Sequence, residues 1–161
     1  MFAAEIEPPS PAEAMAPFLQ TAPVDLNGIA SVLGAMVTMD ALGPDIAGKI
    51  ARAPKGYIIT INNRDVRTRQ RFTLAHEIAH LVLHKDLIGD GVEDNVLYRS
   101  TKLSDDVERQ ANRYAADILM PAGVVRRYFK SGQRAISELA SIFEVSPEAM
   151  RIRLINLGVG A

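Results

Sequence analysis

The sequence predicts an α+β fold that is mainly helical, with a small antiparallel three-stranded sheet before a central helix and a C-terminal helix-turn-helix-like module. Three observations support this prediction. β-branched and aromatic residues fill positions 57–61, as in a strand, and two weaker strand patterns precede them. Apolar residues recur at helical spacing over 72–84 and again from Val107. From Gly123 onward the pattern is helical.

The composition is that of one globular domain. The chain has 161 residues, of which 48% are hydrophobic and 23% charged, and this length is sufficient to bury a proper core. Within it we expect three parts: an N-terminal arm with a short helix (1–23), a core that carries the chemistry (24–121) and a C-terminal helical module packed on the core (122–161).

Charge and cysteine content exclude several classes of protein. The net charge of −1 argues against a protein whose main task is to bind nucleic acid, because that affinity comes largely from neutralising phosphates. The chain has no cysteine, so disulfides and thiolate metal ligands are excluded. No apolar run reaches membrane-spanning length, and the first residues lack the segments of a signal peptide. We therefore expect a cytoplasmic protein without membrane contact.

The first third of the chain leads into the sheet. Ser10 is a suitable N-cap for a short helix with Pro11 at its first position. Residues 24–33 form a second helical pattern that Gly34 ends. Three strands follow, and a tight turn between the last two predicts that they pair as a hairpin. These strands are Ala35–Asp40, 47–53 and Gly56–Asn62.

The central helix carries the motif His76-Glu77-x-x-His80 in an apolar run, and Asp65 is its predicted N-cap. The two histidines lie about 40° apart around a helix, so both imidazoles can reach one metal ion. Glu77 lies beside them, where a carboxylate can take a proton from a metal-bound water. The motif also arises by chance, but here the helix is apolar on nearly every side. A buried set of this kind requires a partner, and a metal ion is the usual one.

A catalytic zinc ion needs a third protein ligand, and the sequence offers two candidates. His84 lies one turn beyond His80, so the helix would have to bend for three imidazoles to converge, and Leu83 stands where metzincins have glycine. Glu108-Arg109-Gln110-Ala111 instead fits the Glu-x-x-Ala form of gluzincins, on a second helix with small residues on its apolar stripe. We predict Glu108 as the third ligand and leave His84 out of the metal set.

Other parts of the site stay open from the sequence alone. The irregular stretch 85–102 links the two helices and is a candidate lid. We expect an extended substrate segment to add along the strand at 57–61. The arginines before the motif are most simply surface residues, although Arg71 is a candidate for contacting substrate. Four side chains are candidates for stabilising the oxyanion: Tyr98, Tyr114, Arg71 and His84.

The C-terminal helices form a helix-turn-helix-like pair. Ile136–Phe143 and Pro147–Leu157 are separated by a short turn, with Ser146 as the N-cap of the second helix and Gly158 as its stop. That second helix offers only Arg151 and Arg153 to a nucleic acid. We therefore favour packing or partner recognition over DNA binding for this pair.

These motifs resemble those of the ImmA/IrrE metallopeptidase family, over roughly residues 24–158. The resemblance rests on three runs: Arg69-x-Arg71-Phe72-Thr73-Leu74-Ala75-His76-Glu77-x-x-His80-x-x-x-His84, then Glu108-x-Gln110-Ala111-Asn112-x-x-Ala115-Ala116-x-x-Leu119-Met120-Pro121, and finally Leu139-Ala140-x-x-Phe143-x-Val145-Ser146-Pro147-Glu148.

The resemblance implies a zinc-dependent endopeptidase in which Zn²⁺ is bound by His76, His80 and Glu108, with Glu77 as the general base. It implies a protein substrate, a helix-turn-helix repressor of the phage-repressor type, whose cleavage derepresses mobile-element or stress genes. Two alternatives are a DNA-binding regulator with a structural metal and a non-catalytic interaction module. The intact Glu77 argues against the module, because a structural site has no need of that base.

Overall fold

The computed structural model describes residue 4, residues 6–89 and residues 102–160. Most of the predicted lid, including Tyr98, lies outside these residues. The α+β class is confirmed. The elements in chain order are α1 (Pro11–Met15), a 3₁₀ helix (Ala16–Gln20), α2 (Leu26–Val32), β1 (Ala35–Asp40), β2 (Gly48–Ala53), β3 (Gly56–Asn62), α3 (Arg67–Leu83), a second 3₁₀ helix (Lys85–Leu87), α4 (Lys102–Leu119), α5 (Ala122–Lys130), α6 (Ile136–Phe143) and α7 (Pro147–Leu157).

The sheet is mixed, with strand order β1-β3-β2. The predicted hairpin is confirmed, because β2 and β3 pair antiparallel. The prediction that the whole sheet is antiparallel is wrong, because β1 runs parallel to β3. The strand richest in β-branched residues occupies the centre, where Ile59 and Ile61 are fully buried.

The link between β1 and β2 explains how the third strand enters the centre. The C-terminal ends of β1 and β3 and the N-terminal end of β2 lie side by side at one end of the strands. Residues 41–47 therefore need only cross the end of β3. The Asn62 side chain holds this crossing by donating to the carbonyls of Gly43 at 2.8 Å and Ile46 at 2.9 Å. Asn62 is 3% exposed, so these bonds satisfy an amide that would otherwise be buried without partners.

Helix α3 packs against the inner face of the sheet and against α4. It begins after Val66, which is extended and makes no side-chain cap. The prediction that Asp65 caps this helix is therefore wrong, because the chain is still in a turn there, with the Asp65 N–H directed to the Asn62 carbonyl. The apolar residues around the helix are buried on both sides: Leu74, Ala75, Ile78, Ala79 and Leu81.

The C-terminal helices follow the predicted bounds, and Ser146 caps α7 by accepting from the Ala149 N–H at 3.1 Å. Glu144, between α6 and α7, lies 3.1 Å from Arg67 Nη2 and 3.4 Å from Arg71 Nε. These contacts join the α6–α7 turn to the start of α3. The buried apolar residues of α6 and α7 belong to the same hydrophobic cluster as those of the sheet. None of the described helices combines the length and apolar character needed to cross a bilayer.

Gly48 lies where β2 packs tightly against α3. A Cβ at this position would lie 2.5 Å from Thr73 Cγ2 and 3.0 Å from the Thr60 carbonyl oxygen. We expect Gly48→Ala to destabilise the protein by about 1–3 kcal/mol, because a packed interface must move apart. The control is Gly123→Ala in α5, where an added Cβ meets nothing within 4 Å. Thermal melting compares the two, and equal stability would contradict the close packing of β2 on α3.

Candidate metal centre

Helices α3 and α4 bring three ligand-type side chains together. His76 and His80 lie one turn apart on α3, and their Nε2 atoms are 3.0 Å apart. Glu108 reaches across from α4, with Oε2 at 3.0 Å from His76 Nε2 and Oε1 at 3.0 Å from His80 Nε2. The structure therefore brings together all three residues that the sequence predicts as metal ligands.

A hydrogen bond to Asn112 determines which ring nitrogen of His76 carries the proton. The Asn112 side chain, one turn beyond Glu108 on α4, places its Oδ1 at 2.8 Å from His76 Nδ1. An amide oxygen can only accept, so Nδ1 carries the proton of the neutral ring. The Nε2 atom then keeps its lone pair and points into the triangle formed by His76, His80 and Glu108. A metal ligand requires this tautomer.

The electrostatics of the triangle are those of a cation site. When a proton rather than a cation lies on a histidine Nε2, that N–H donates to Glu108. Burial alone would raise the pKa of Glu108, but these hydrogen bonds from His76 and His80 hold it at about 2. Burial would lower the pKa of His76, but the hydrogen bond to Glu108 and the charge of Glu77 raise it above its usual value. Burial lowers the pKa of His80. The site therefore contains a permanent carboxylate facing two imidazoles of unequal proton affinity.

A tetrahedral metal ion fits the spacing of these atoms. Nitrogen and oxygen ligands bind zinc at about 2.0–2.2 Å, which places neighbouring ligand atoms about 3.3 Å apart in a tetrahedron. The three distances of 3.0 Å are close to this value. With both imidazoles neutral and each Nε2 bearing a lone pair, these two nitrogens and the two Glu108 oxygens are all acceptors. A cation at their centre would bind to them.

Glu77 lies beside the triangle and lines the same cavity of about 560 Å³. It is 6% exposed, and its charge contributes to the raised pKa of His76. The other walls come from the residues before and at the start of β2, from α3 and from α4. The arrangement thus joins a metal-type ligand set to a buried carboxylate in a cavity open to substrate. The cavity is also lined by Gly48, Arg69, Asp105 and Asn112.

Arg69 is a cavity residue that the sequence interpretation missed. It lies seven residues before His76, almost on the same face of α3, so helical periodicity could have identified it. The arginine we considered instead, Arg71, points to the opposite side, where Nη2 donates to the Val24 carbonyl at 2.9 Å. Tyr114 also lies elsewhere, with its hydroxyl 3.8 Å from Met15 Sδ. Neither side chain lines the cavity.

Metal uptake should weaken as the pH falls. An ion must displace the proton from His76, whose pKa is raised, so competition begins at a higher pH than for an ordinary histidine. Glu108 adds no competition until near pH 2, where it protonates. With one proton displaced, we expect the apparent affinity to fall about tenfold per pH unit below the His76 pKa. Chelator competition at several pH values, corrected for chelator protonation, measures it. A flat profile from pH 7 to 5 would contradict this electrostatic description.

The fold and this centre together define a class. Two histidines one turn apart, a glutamate beside the first and a carboxylate from a second helix are the arrangement of an HExxH metallopeptidase. The family Peptidase_M78, described as the IrrE N-terminal-like domain, matches residues 30–155. The chain belongs to this family of metallopeptidases.

Two curated relatives are named radiation response metalloprotease IrrE. The protein from Deinococcus radiodurans is 41% identical over 99 residues, which cover 58% of this chain and 29% of the relative. The protein from Deinococcus deserti is 38% identical over 99 residues, covering 58% of this chain and 34% of the relative. The match thus spans about a third of each relative's length.

A solved structure supports the fold. A Mycobacterium tuberculosis transcriptional regulator aligns with a TM-score of 0.50 and 22% sequence identity, over 74% of this chain and 36% of that one. At this identity the likeness concerns the fold alone.

Proposed function

We propose that the chain is a zinc-dependent endopeptidase, with His76, His80 and Glu108 as the metal ligands and Glu77 as the catalytic base. The single observation that carries the proposal is the group of His76, His80 and Glu108, in which the two Nε2 atoms lie 3.0 Å apart and each lies 3.0 Å from a Glu108 oxygen, with Glu77 lining the same cavity. Family membership supports a metallopeptidase. The choice of zinc rests on the donor set, because two imidazoles and one carboxylate are typical of catalytic zinc sites.

When bound, zinc would polarise the scissile carbonyl and make a water molecule more acidic. Glu77 takes a proton from that water as its oxygen adds to the carbonyl carbon. The same carboxyl group then delivers the proton to the leaving nitrogen as the C–N bond breaks. The products are a carboxylic acid and an amine, and the acid's proton passes to the amine to give a carboxylate and an ammonium group. His76 and His80 stay neutral throughout, and Asn112 keeps His76 in the required tautomer.

The edge of β2 is the place we propose for an extended substrate segment. Our prediction that the segment adds along residues 57–61 is wrong, because β3 is the central strand and pairs on both sides. Ala47 pairs with Asn62 of β3, so Gly48 and Ile50 turn their backbone N–H and C=O groups to the outer edge. Gly48 lines the cavity, so a strand added there would pass the triangle.

The substrate class we propose is a helix-turn-helix repressor of the phage-repressor type, as the family resemblance implies. The relatives' name, radiation response metalloprotease, is in keeping with a protease that acts in regulation. The division into an arm (1–23), a peptidase core (24–121) and a C-terminal module (122–161) is part of the same proposal. We assign the C-terminal module to packing and partner recognition.

DNA binding is the weaker alternative for that module. Arg153 is held against α4, donating to Asp117 Oδ1 at 2.7 Å and to the Met120 carbonyl at 2.9 Å. Arg151 is paired with Glu148 at 2.6 Å within α7. Both cations that the sequence offered to phosphates thus have intramolecular partners, which lowers their value for nucleic-acid binding.

The test is proteolysis by the zinc-loaded protein. We expect a helix-turn-helix repressor encoded beside its gene to be cut at a defined bond, with cleavage lost on adding a chelator and restored by zinc. An unfolded general substrate is the parallel assay. If only the unfolded protein is cut, the repressor assignment is wrong and the peptidase assignment stands. If the loaded protein cuts neither, and instead binds DNA in a salt-dependent and sequence-specific way, the structural-metal alternative is correct.

A further inference from the structure

His84 lies one turn beyond His80, at the C-terminal end of α3, and is 9% exposed. Its sequence position suggested either a ligand or an oxyanion contact. In the structure its Nδ1 lies 3.1 Å from His80 Nδ1, on the side of that ring away from Glu108. Its Nε2 lies 2.7 Å from Gln110 Oε1 on α4. Both ring nitrogens are therefore engaged outside the triangle.

The direction of these hydrogen bonds follows from the last member of the chain. The Gln110 carbonyl oxygen can only accept, so His84 Nε2 carries a proton and donates. A neutral imidazole has one N–H, so His84 Nδ1 accepts from His80 Nδ1. His80 is then left with a lone pair on Nε2, the atom that faces Glu108 at 3.0 Å.

His76 reaches the same state by a shorter route. Its Nδ1 donates directly to Asn112, without an intervening side chain. Helix α4 therefore supplies the third ligand-type residue, Glu108. It also supplies the two amide oxygens that accept at the outer side of the imidazoles, Asn112 for His76 and Gln110, through His84, for His80. The difference is that His80, which is 1% exposed, is linked to the Gln110 acceptor through His84.

We propose that His84 is a positioning residue, which relays the Gln110 acceptor to His80 and holds His80 in the Nδ1–H tautomer with its Nε2 lone pair in the triangle. This inference rests on the proposed metal function of that triangle. Such outer partners fix the orientation and tautomer of a ligating histidine, and their loss typically weakens metal binding about 10–100-fold.

The test measures zinc affinity by chelator competition in wild type and variants. We expect His84→Leu, which removes the acceptor, to bind zinc about 10–100-fold more weakly. His84→Asn places an amide oxygen near the position of Nδ1, so it should recover most of the affinity. Gln110→Ala changes an exposed helical residue, and its zinc affinity should fall about tenfold. This variant tests the inference if His84→Leu fails to fold. Arg109→Ala, on the neighbouring α4 position that pairs with Asp106, is the control and should bind as wild type.

A second readout separates a positioning residue from a ligand. The visible spectrum of the Co²⁺-loaded protein should keep its intensity in His84→Asn, because the coordinating atoms do not change. Zinc affinities of His84→Leu and Gln110→Ala both within twofold of wild type would overturn the inference. So would a His84→Asn variant as weak as His84→Leu, because shape rather than an acceptor would then matter. A wild type that takes up no zinc would overturn the proposed function itself.

Discussion

Glu77→Gln should lose peptide hydrolysis while it keeps its zinc. Glutamine fills the same space in the buried site but cannot take a proton from water, so we expect the rate to fall by about 10²–10⁴-fold. Glu77 is not one of the three residues of the triangle, so the zinc content of Glu77→Gln should equal that of wild type. Cleavage rate and metal content, measured on the same preparation, test both expectations.

Glu138→Gln is the matched control for this change. Glu138 lies on α6, is exposed, and does not line the cavity, so the same substitution there should leave cleavage unchanged. A Glu77→Gln protein that binds zinc and still cuts at the wild-type rate would show that another group is the base. The account of the mechanism would then be wrong, although the metal site would stand.

Glu108→Ala should lose both zinc and hydrolysis. The variant leaves two imidazoles without the carboxylate that lies 3.0 Å from each. Removing a direct ligand should cost more than removing an outer partner, so we expect the affinity to fall by more than about 100-fold. Chelator competition measures this affinity, and thermal melting of the metal-free protein shows whether the fold survives.

Asp105→Ala is the control for position and charge. Asp105 is a carboxylate of the same helix and lines the same cavity, but it is not part of the triangle. Its removal should leave zinc affinity close to that of wild type. If Asp105→Ala loses zinc and Glu108→Ala retains it, the third ligand has been assigned to the wrong residue.

Local signals allowed much of the fold to be predicted from the sequence. The bounds of α6 and α7, the Ser146 cap and the β2–β3 hairpin each depend on a few adjacent residues. The convergence of His76 and His80 with Glu108 was also predicted. Helical spacing brings the two histidines together, and the Glu-x-x-Ala form of gluzincins indicated Glu108. The roles of these residues as ligands remain part of the proposal.

The features that the sequence did not reveal depend on contacts between distant segments. The parallel pairing of β1 with β3 depends on the path of residues 41–47 across the end of β3. Strand propensity does not predict that path. Asp65 was predicted to cap α3, but it lies in a turn in which its N–H donates to the Asn62 carbonyl. Arg69 was passed over for Arg71, although seven-residue spacing from His76 favours the former. The hydrogen bonds that link His80 to His84 and His84 to Gln110 join side chains of two helices, so no local sequence pattern indicates them.

Anomalous diffraction at the zinc edge, from crystals of the zinc-loaded protein, tests the central claim most directly. The account predicts an ion bound by His76 Nε2, His80 Nε2 and a Glu108 carboxylate oxygen at about 2.0–2.2 Å, with a fourth position open to water. It also predicts that Glu77 and His84 make no bond to the ion. An ion bound by His84, or no ion within the triangle of crystals shown to contain zinc, would contradict it.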